Sequence, residues 1–306
     1  MKKLTLLLLA LLYVTLTYAY TERDLLQKQA DINRLKEILV LDRQWVTYPD
    51  YNDRAGWDRF LGTFKDEYIR RGEKRLNYQW QVVKATDYLA FERTGNRQIM
   101  EKPFGANNGA IADLLMAELA EGKGRFVDQL INGVFNACEM TSWALAAHII
   151  VQPSHRALPA YDYPVIDLTS GDLGGLLAWT YHFMRPSFDK VDPEISRRLR
   201  HELQTRILDP YMNNDSFWWM GRNYNGRMLN NWNPWCNSNA LMCFMLLEDN
   251  RDTLAKAVHL TMESVDKFLN YIKADGACEE GPSYWGHAAG KTLDYLEPVS
   301  YTHLRA

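Results

Sequence analysis

Apolar residues recur every three to four positions along most of the chain, which is the spacing of one face of an α-helix. No long run alternates apolar and polar residues as a half-buried strand does. The pattern therefore predicts an all-α fold. The predicted helical segments are approximately 22–40, 54–75, 108–122, 125–150, 170–185, 192–208, 234–248 and 252–273.

Several predicted helix ends have a chemical explanation. Asn233 followed by Pro234 is typical of an N-cap and a first-turn proline, and Asp252 is a candidate cap for the next helix. Gly276 follows that helix, where a left-handed residue often ends a helix. These signals divide the second half of the chain into well-separated helices.

Short connections predict two helical hairpins, 170–185 with 192–208 and 234–248 with 252–273. In an antiparallel hairpin, the start of the first helix and the end of the second lie at the same end. The stretches before 234 and after 273 should therefore be neighbours, and side-by-side hairpins would gather their loops on one rim. This favours an incomplete α/α toroid, with an ordinary helical solenoid as the alternative.

The first residues, "MKKLTLLLLALLYVTLTYAY", combine a basic start, a short apolar run and a small residue at Ala19. This is typical of a secretory signal peptide covering 1–19, with cleavage near Ala19 and a periplasmic or secreted product. An uncleaved membrane anchor is the alternative, but the run is short for a bilayer span, and we expect no stable membrane insertion after cleavage. The toroid domain is predicted over 20–297. The ending "PVSYTHLRA", 298–306, has no helix stop signal and is predicted to be a non-native tail.

Charge and cysteine content exclude some classes of partner. The 306 residues carry a formal net charge of −3, so nothing indicates a nucleic-acid partner. The four cysteines have no spacing typical of a zinc site, and we predict buried free thiols, no metal and no cofactor.

One predicted rim segment, 213–239, is rich in tryptophan and asparagine. Aromatic rings beside amide side chains suit sugars, whose C–H faces stack on the rings and whose hydroxyls hydrogen-bond to amides. The alternative is structural, with tryptophans filling gaps between hairpins and asparagines serving turns. Trp219, Trp232 and Trp235 are candidate sugar contacts, and Arg222 on the same rim could meet an acidic sugar.

A second predicted rim segment, "DGACEEGPSYWGH", runs from 275 to 287. It contains carboxylates, an imidazole and a tyrosine that glycine and proline hold in a short loop. Tyr284 could donate or accept a proton, and its predicted proximity to Asn231 strengthens that interpretation. Glu280 and His287 are candidate substrate contacts in the same segment.

A third segment, "NACEMTSWALAAH", is predicted to be helical from 136 to 148. On a helix, Glu139, Ser142, Trp143 and Ala146 would share one face, which mixes a carboxylate, a hydroxyl and an indole. Glu139 is therefore either a substrate contact or a buried carboxylate that a neighbouring loop satisfies. His148 and His155 do not make a convincing metal pair.

Taken together, these segments resemble the heparinase II/III-like group of polysaccharide lyases. The resemblance rests on "CEMTSWALAAH", "DPYMNNDSFWWMGRN", "NNWNPWCNSN" and "DGACEEGPSYWGHAAGKTLDYLE", in that order, and covers roughly 22–297. It implies a helical toroid followed by β-sandwich domains that this chain lacks. Polysaccharide lyases of this kind cleave uronic-acid-containing chains by β-elimination, so the implied partner is an acidic polysaccharide, either glycosaminoglycan-like or alginate-like.

The resemblance also implies roles for two residues. Asn231 matches the amide that neutralises the uronate carboxylate, and Tyr284 matches the tyrosine that serves as acid and in some cases as base. Two departures remain. Several relatives have His where this chain has Trp232, and the His that the β-sandwich contributes is missing, so this fragment alone should have little activity.

Two other functions are compatible with the residues. A glycoside hydrolase on the same scaffold would use a pair of carboxylates drawn from Glu139, Asp275, Glu279 and Glu280. A non-catalytic glycan-binding protein would use the tryptophan and asparagine rim without moving a proton. Elimination, unlike hydrolysis, produces an unsaturated uronate that absorbs in the near ultraviolet.

Overall fold

The computed structural model describes residues 22–223, 228–272, 276–277 and 280–302, and all regular secondary structure in these ranges is helical. The predicted signal peptide, Asp275, Cys278 and Glu279 lie outside the described residues. The α-helices are α1 (Ile32–Ile38), α2 (Arg54–Leu61), α3 (Lys65–Glu73), α4 (Ala85–Thr94), α5 (Gln98–Glu121), α6 (Val127–Glu139), α7 (Leu168–Val191), α8 (Pro193–Leu203), α9 (Asp209–Asn213), α10 (Trp232–Leu247), α11 (Arg251–Tyr271) and α12 (Pro282–Thr302).

The predicted all-α class is confirmed for the described residues, while individual helix limits differ. The segment 22–30 forms turns rather than helix, and α4 was not predicted. A π-helical turn at Gln204–Leu208 joins α8 to α9. Helix α12 runs on through Pro298 to Thr302, so the first part of the predicted tail continues this helix.

Both N-caps predicted for the second hairpin are wrong. Helix α10 begins at Trp232, with Asn231 as its cap residue, because the Asn233 side chain points into the core. Helix α11 is capped by Asn250, whose side chain accepts a hydrogen bond from the Thr253 amide, and Asp252 lies in its first turn. Gly276 does adopt the expected left-handed conformation, with φ of 68°.

The centre of the fold is a close contact between α7 and α10. A Cβ atom placed on Gly171 would lie 3.3 Å from the Asn239 side chain, and one on Gly174 would lie 3.6 Å from the Cys243 sulfur. The second pair lies further toward the C-terminus than the first on both helices, so α7 and α10 run parallel. The missing side chains at these glycines let the α10 side chains approach the backbone of α7 closely.

Helix α12 is parallel to α10 in the same way. Asn231 meets Glu280 where the two helices begin, and Trp235 meets His287 about one turn further along. The starts of α7, α10 and α12 therefore lie at one end of the fold, which we call the rim. Helix α8 follows α7 after one residue, and α11 follows α10 after three residues. Each pair forms a hairpin, as predicted.

The chain that precedes α1 is held against α11 by buried polar groups. The Asp266 carboxylate is fully buried and accepts hydrogen bonds from the backbone amides of Leu26 and Gln27. The Asn270 side chain similarly accepts from the amides of Arg23 and Asp24. These contacts fix this segment along the outside of the second hairpin.

Three cysteines, Cys138, Cys236 and Cys243, are buried free thiols, as predicted. Within the described ranges, every helix is too short or too polar to span a bilayer.

Candidate functional site at the rim

Asn231 and the segment before α12 are joined by a direct hydrogen bond. The backbone N–H of Asn231 donates to the Glu280 carboxylate over 3.0 Å. Asn231 is 3% exposed, and none of the described residues hydrogen-bonds its side-chain amide. The sequence prediction that these two stretches are neighbours is confirmed. Glu280 thus fixes the backbone from which the Asn231 amide projects.

Tyr284 lies in the first turn of α12 and is 47% exposed. Its ring contacts that of His287, one turn further on, with centroids 5.8 Å apart. His287 in turn stacks on Trp235 of α10, with centroids 5.1 Å apart and planes 9° apart. The phenol, the imidazole and the indole therefore form a continuous row across the start of α10 and α12.

Asp172 lies beside this row and was not singled out from the sequence. Its carboxylate accepts hydrogen bonds from the Trp235 indole over 2.7 Å and from the Asn239 amide over 2.8 Å. Desolvation by the surrounding protein raises the pKa of Asp172, and the two hydrogen bonds oppose part of that rise. The Lys291 ammonium lies over the same indole, 5.2 Å from its ring centroid.

His148 packs against Trp232 at the rim. The two ring centroids are 4.6 Å apart, and His148 Nδ1 lies 2.7 Å from an oxygen of the fully buried Asp167. Arg97, which immediately precedes α5, approaches His148 Nε2 to 3.2 Å. Trp232 also contacts Trp218, which is 44% exposed. The His148 imidazole thus lies beside Trp232 at the rim.

Asp167 positions His148 because it also caps α7. One of its oxygens accepts a hydrogen bond from the Ser170 amide, and the other accepts from the amide of Leu145. With Asp167 accepting from its Nδ1, the His148 ring carries a proton there and presents Nε2 as an acceptor to Arg97. The pairing of these two residues has no local signal in the sequence.

Trp219 and Asn233 belong to the core rather than to a ligand surface. Trp219 is 1% exposed, and its indole donates to the carbonyl of Ile166 over 3.0 Å. Asn233 is fully buried and donates to the carbonyls of Trp219 and Ser264. Because Trp219 is buried, neither face of its ring can stack on a sugar. For Trp219 the structural alternative holds, in which the ring fills space between the helical hairpins.

Arg222 is already occupied by protein partners. Its guanidinium pairs with Asp215 and donates to the Tyr211 carbonyl over 2.9 Å. The arginine therefore anchors the loop after α9, and its positive charge is largely compensated there.

Glu139 does not share a helix face with Ser142 and Trp143, because α6 ends at Glu139. The prediction of helix through 150 is wrong, since side chains beyond this point compete for backbone groups. The Trp143 indole donates to the carbonyl of Ala137, and the Ser142 hydroxyl accepts from the amide of Ala144. Glu139 itself is exposed and pairs with Arg198 on α8 over 3.3 Å.

No protein-family model matches this chain, and a comparison with curated proteins gives no significant match. Within the described ranges, no group of three or more histidine, cysteine, aspartate and glutamate side chains could hold a metal ion.

Proposed function

We propose that this chain is the helical domain of a secreted polysaccharide lyase that cleaves uronic-acid-containing chains by β-elimination. The observation that carries the proposal is the hydrogen bond from the Asn231 backbone to Glu280. This bond joins the two segments that resemble the heparinase II/III-like group, with the buried Asn231 amide on one and an exposed phenol, Tyr284, a few residues along the other.

We infer that the helices form an incomplete α/α toroid with its active site at the rim. This architecture is supported by the parallel course of α7, α10 and α12. Helix α8 runs back after α7, and α11 runs back in the chain between α10 and α12. The N-terminus of a helix carries about half a positive charge, and the Asp167 and Glu280 carboxylates lie at the starts of α7 and α10. That end is also where the Trp235, His287 and Tyr284 rings lie.

In the proposed reaction, the Asn231 amide donates a hydrogen bond to the uronate carboxylate and reduces its charge. The proton on C5 then becomes acidic enough for a base to remove. The electron pair left on C5 forms the C4–C5 double bond while the C4–O bond breaks, and Tyr284 protonates the departing oxygen. His287, in contact with the Tyr284 ring, serves as the base.

His148 and Arg97 extend the proposed site on the other side of Trp232. Arg97, which also pairs with Glu101, approaches the imidazole that contacts this indole, and its remaining N–H groups can donate to an acidic sugar. Trp218, exposed beside Trp232, supplies an aromatic surface for a neighbouring sugar ring. Glu280 orients the backbone of Asn231 in this scheme and does not itself carry a proton.

The proposal is tested by replacing Tyr284 with phenylalanine in the complete protein, including the downstream domain that the resemblance implies. Loss of the phenolic proton should lower kcat about 10²- to 10⁴-fold, as removal of a general acid does. Tyr161→Phe is the matched control, because Tyr161 is 88% exposed and has no role in the proposed reaction. The assay follows near-ultraviolet absorbance of the unsaturated uronate.

Product chemistry separates the alternatives. New reducing ends without ultraviolet absorbance, lost in Glu280→Gln and retained in Tyr284→Phe, would replace the lyase with a glycoside hydrolase. Saturable binding of the polysaccharide with no product of either kind would indicate a glycan-binding protein.

A further inference from the structure

Asp172 lies on the second turn of α7 and accepts two hydrogen bonds on one oxygen. The Trp235 indole N–H and the Asn239 amide, one turn apart on α10, both donate to Oδ1, over 2.7 Å and 2.8 Å. The carboxylate retains contact with solvent, where water could also satisfy these groups. The main effect of the two hydrogen bonds is therefore on the orientation of the side chains that make them.

The Asn239 amide that supports this carboxylate packs against two glycines of α7. A Cβ atom on Gly171 would lie 3.3 Å from the Asn239 amide nitrogen, and one on Gly175 would lie 3.0 Å from its oxygen. The same amide group donates to the carbonyl of Trp235 over 3.3 Å. Asp172 is thus held in a fixed position relative to α10, beside the Trp235 indole.

The Trp235 indole needs a fixed partner because its ring is asymmetric. A tryptophan side chain rotates about its second torsion between two broad orientations, and these exchange the sides taken by the N–H and the six-membered ring. An indole N–H that donates to Asp172 is compatible with one of these orientations. The hydrogen bond therefore selects how the indole ring is placed on the rim.

Trp235 in turn contacts two side chains of α12. The His287 imidazole stacks on the indole with planes 9° apart, and the Lys291 ammonium lies 5.2 Å from the ring centroid. Lys291 also pairs with Asp294 over 3.2 Å, so a second group holds the ammonium. His287 is exposed and also contacts Tyr284 on its own helix. The plane of the imidazole therefore depends on the orientation of the indole.

We infer that Asp172 is a positioning residue for the His287 imidazole. The carboxylate selects the orientation of the Trp235 indole, and the indole sets the plane of the imidazole beside Tyr284. The role of His287 as the base rests on the proposed function, whereas the positioning itself does not. A displacement of a catalytic group by about 1 Å can cost about 10²-fold in rate, so this support matters for the reaction.

The test follows the imidazole C–H resonances of His287 in this chain, assigned by substitution and compared for the neutral ring in a pH titration. A stacked indole shifts these resonances upfield through its ring current, and Asp172→Ala should remove most of that shift. Asp172→Asn should keep it, because the amide oxygen accepts the same two hydrogen bonds. Asp189→Ala is the matched control, since Asp189 lies further along α7 and pairs with Arg185. The His148 resonances report on the rest of the rim.

Trp235→Phe separates ring orientation from the other effects of the carboxylate. The phenyl ring has two equivalent orientations and donates no hydrogen bond to Asp172. In this background, Asp172→Ala should therefore cause no further change in the His287 resonances. In the complete protein, Asp172→Ala should lower kcat about 10- to 10²-fold with little change in KM, and Asp172→Asn should restore most of the rate.

Three results would overturn the inference. In the first, Asp172→Ala leaves the His287 resonances unchanged or alters those of His148 as much. In the second, Asp172→Asn behaves like Asp172→Ala, and in the third, Asp172→Ala has the same effect in the Trp235→Phe background. A complete protein that lacks lyase activity but shows the expected resonance changes would reject the lyase proposal alone. Lyase activity with unchanged His287 resonances in Asp172→Ala would reject the positioning role alone.

Discussion

His148 and Asp167 form a close pair at the rim, with 2.7 Å between the imidazole Nδ1 and a carboxylate oxygen. Asp167 is fully buried and caps α7, whereas the side chain of His148 is 13% exposed and reaches Trp232. A single carboxylate therefore connects the start of a central helix to the surface of the proposed site. The stability of the fold and the geometry of the site should respond together when this carboxylate is changed.

Replacing Asp167 with alanine should destabilise the protein by ~2–4 kcal/mol. The change removes the N-cap hydrogen bond from the Ser170 amide, which costs about 1 kcal/mol, and leaves the buried Leu145 amide without an acceptor, which costs about 1–3 kcal/mol more. Urea unfolding measures the difference. Asp192→Ala is the control, because Asp192 caps α8 in an exposed position and should cost only about 1 kcal/mol. Equal losses in the two variants would contradict this account.

The sequence predicted the hairpins and the meeting of Asn231 with the segment before α12, because both follow from helix spacing and short connections. It did not predict the pairing of His148 with Asp167, which arises only because the chain leaves the helix after Glu139. The end of α6 depends on long-range contacts, such as that of the Leu145 amide with Asp167, and periodicity within the segment cannot reveal them. For the same reason, Trp218 and Trp219 could not be told apart from composition, although one is exposed and the other buried.

Gly72→Ala should lower the free energy of unfolding by ~1–3 kcal/mol, because an added Cβ would lie 2.2 Å from the Cβ of Ala117 on α5. Neither atom can rotate away, so the helices must separate. Gly105→Ala is the matched control within α5, where a new Cβ meets no atom within 4 Å. That variant should gain about 0.5–1 kcal/mol, since alanine is favoured over glycine in a helix. Thermal or urea unfolding of the two variants should give changes of opposite sign.

Burial raises the pKa of the Cys138 and Cys243 thiols to about 12. An unfolded cysteine ionises near pH 8.5, so the folded state favours the neutral thiol. The stability that these groups contribute is present in full below about pH 8.5 and is lost as the pH rises toward 12. Urea midpoints measured from pH 8 to pH 11 should therefore fall, and Cys243→Ala should reduce the slope.

The same burial predicts low thiol reactivity in the native protein. In a Cys278→Ser background, iodoacetamide at pH 8.5 should modify Cys138, Cys236 and Cys243 only after urea unfolding, because the thiolate is the nucleophile. Mass spectrometry counts the modified thiols before and after unfolding. Rapid modification of the folded chain would contradict the buried, protonated state of these groups.

Trp235→Phe should raise the pKa of Asp172 further. The substitution removes the indole N–H that donates to the carboxylate over 2.7 Å, and a hydrogen bond to the charged form is one of the effects that oppose the raised pKa. The phenyl ring can still stack on His287, so the row of rings is retained. Asn239→Ala, which removes the other donor, should act in the same direction.

The carboxyl ¹³C resonance of Asp172, followed by NMR through its titration, measures this change directly. Because a higher pKa keeps the carboxyl protonated to higher pH, any limb of the activity profile that follows Asp172 should move to higher pH in both variants. Trp285→Phe provides the control, since Trp285 is 60% exposed and makes no hydrogen bond to Asp172. An unchanged or lowered pKa in Trp235→Phe would show that the indole does not stabilise the charged carboxylate.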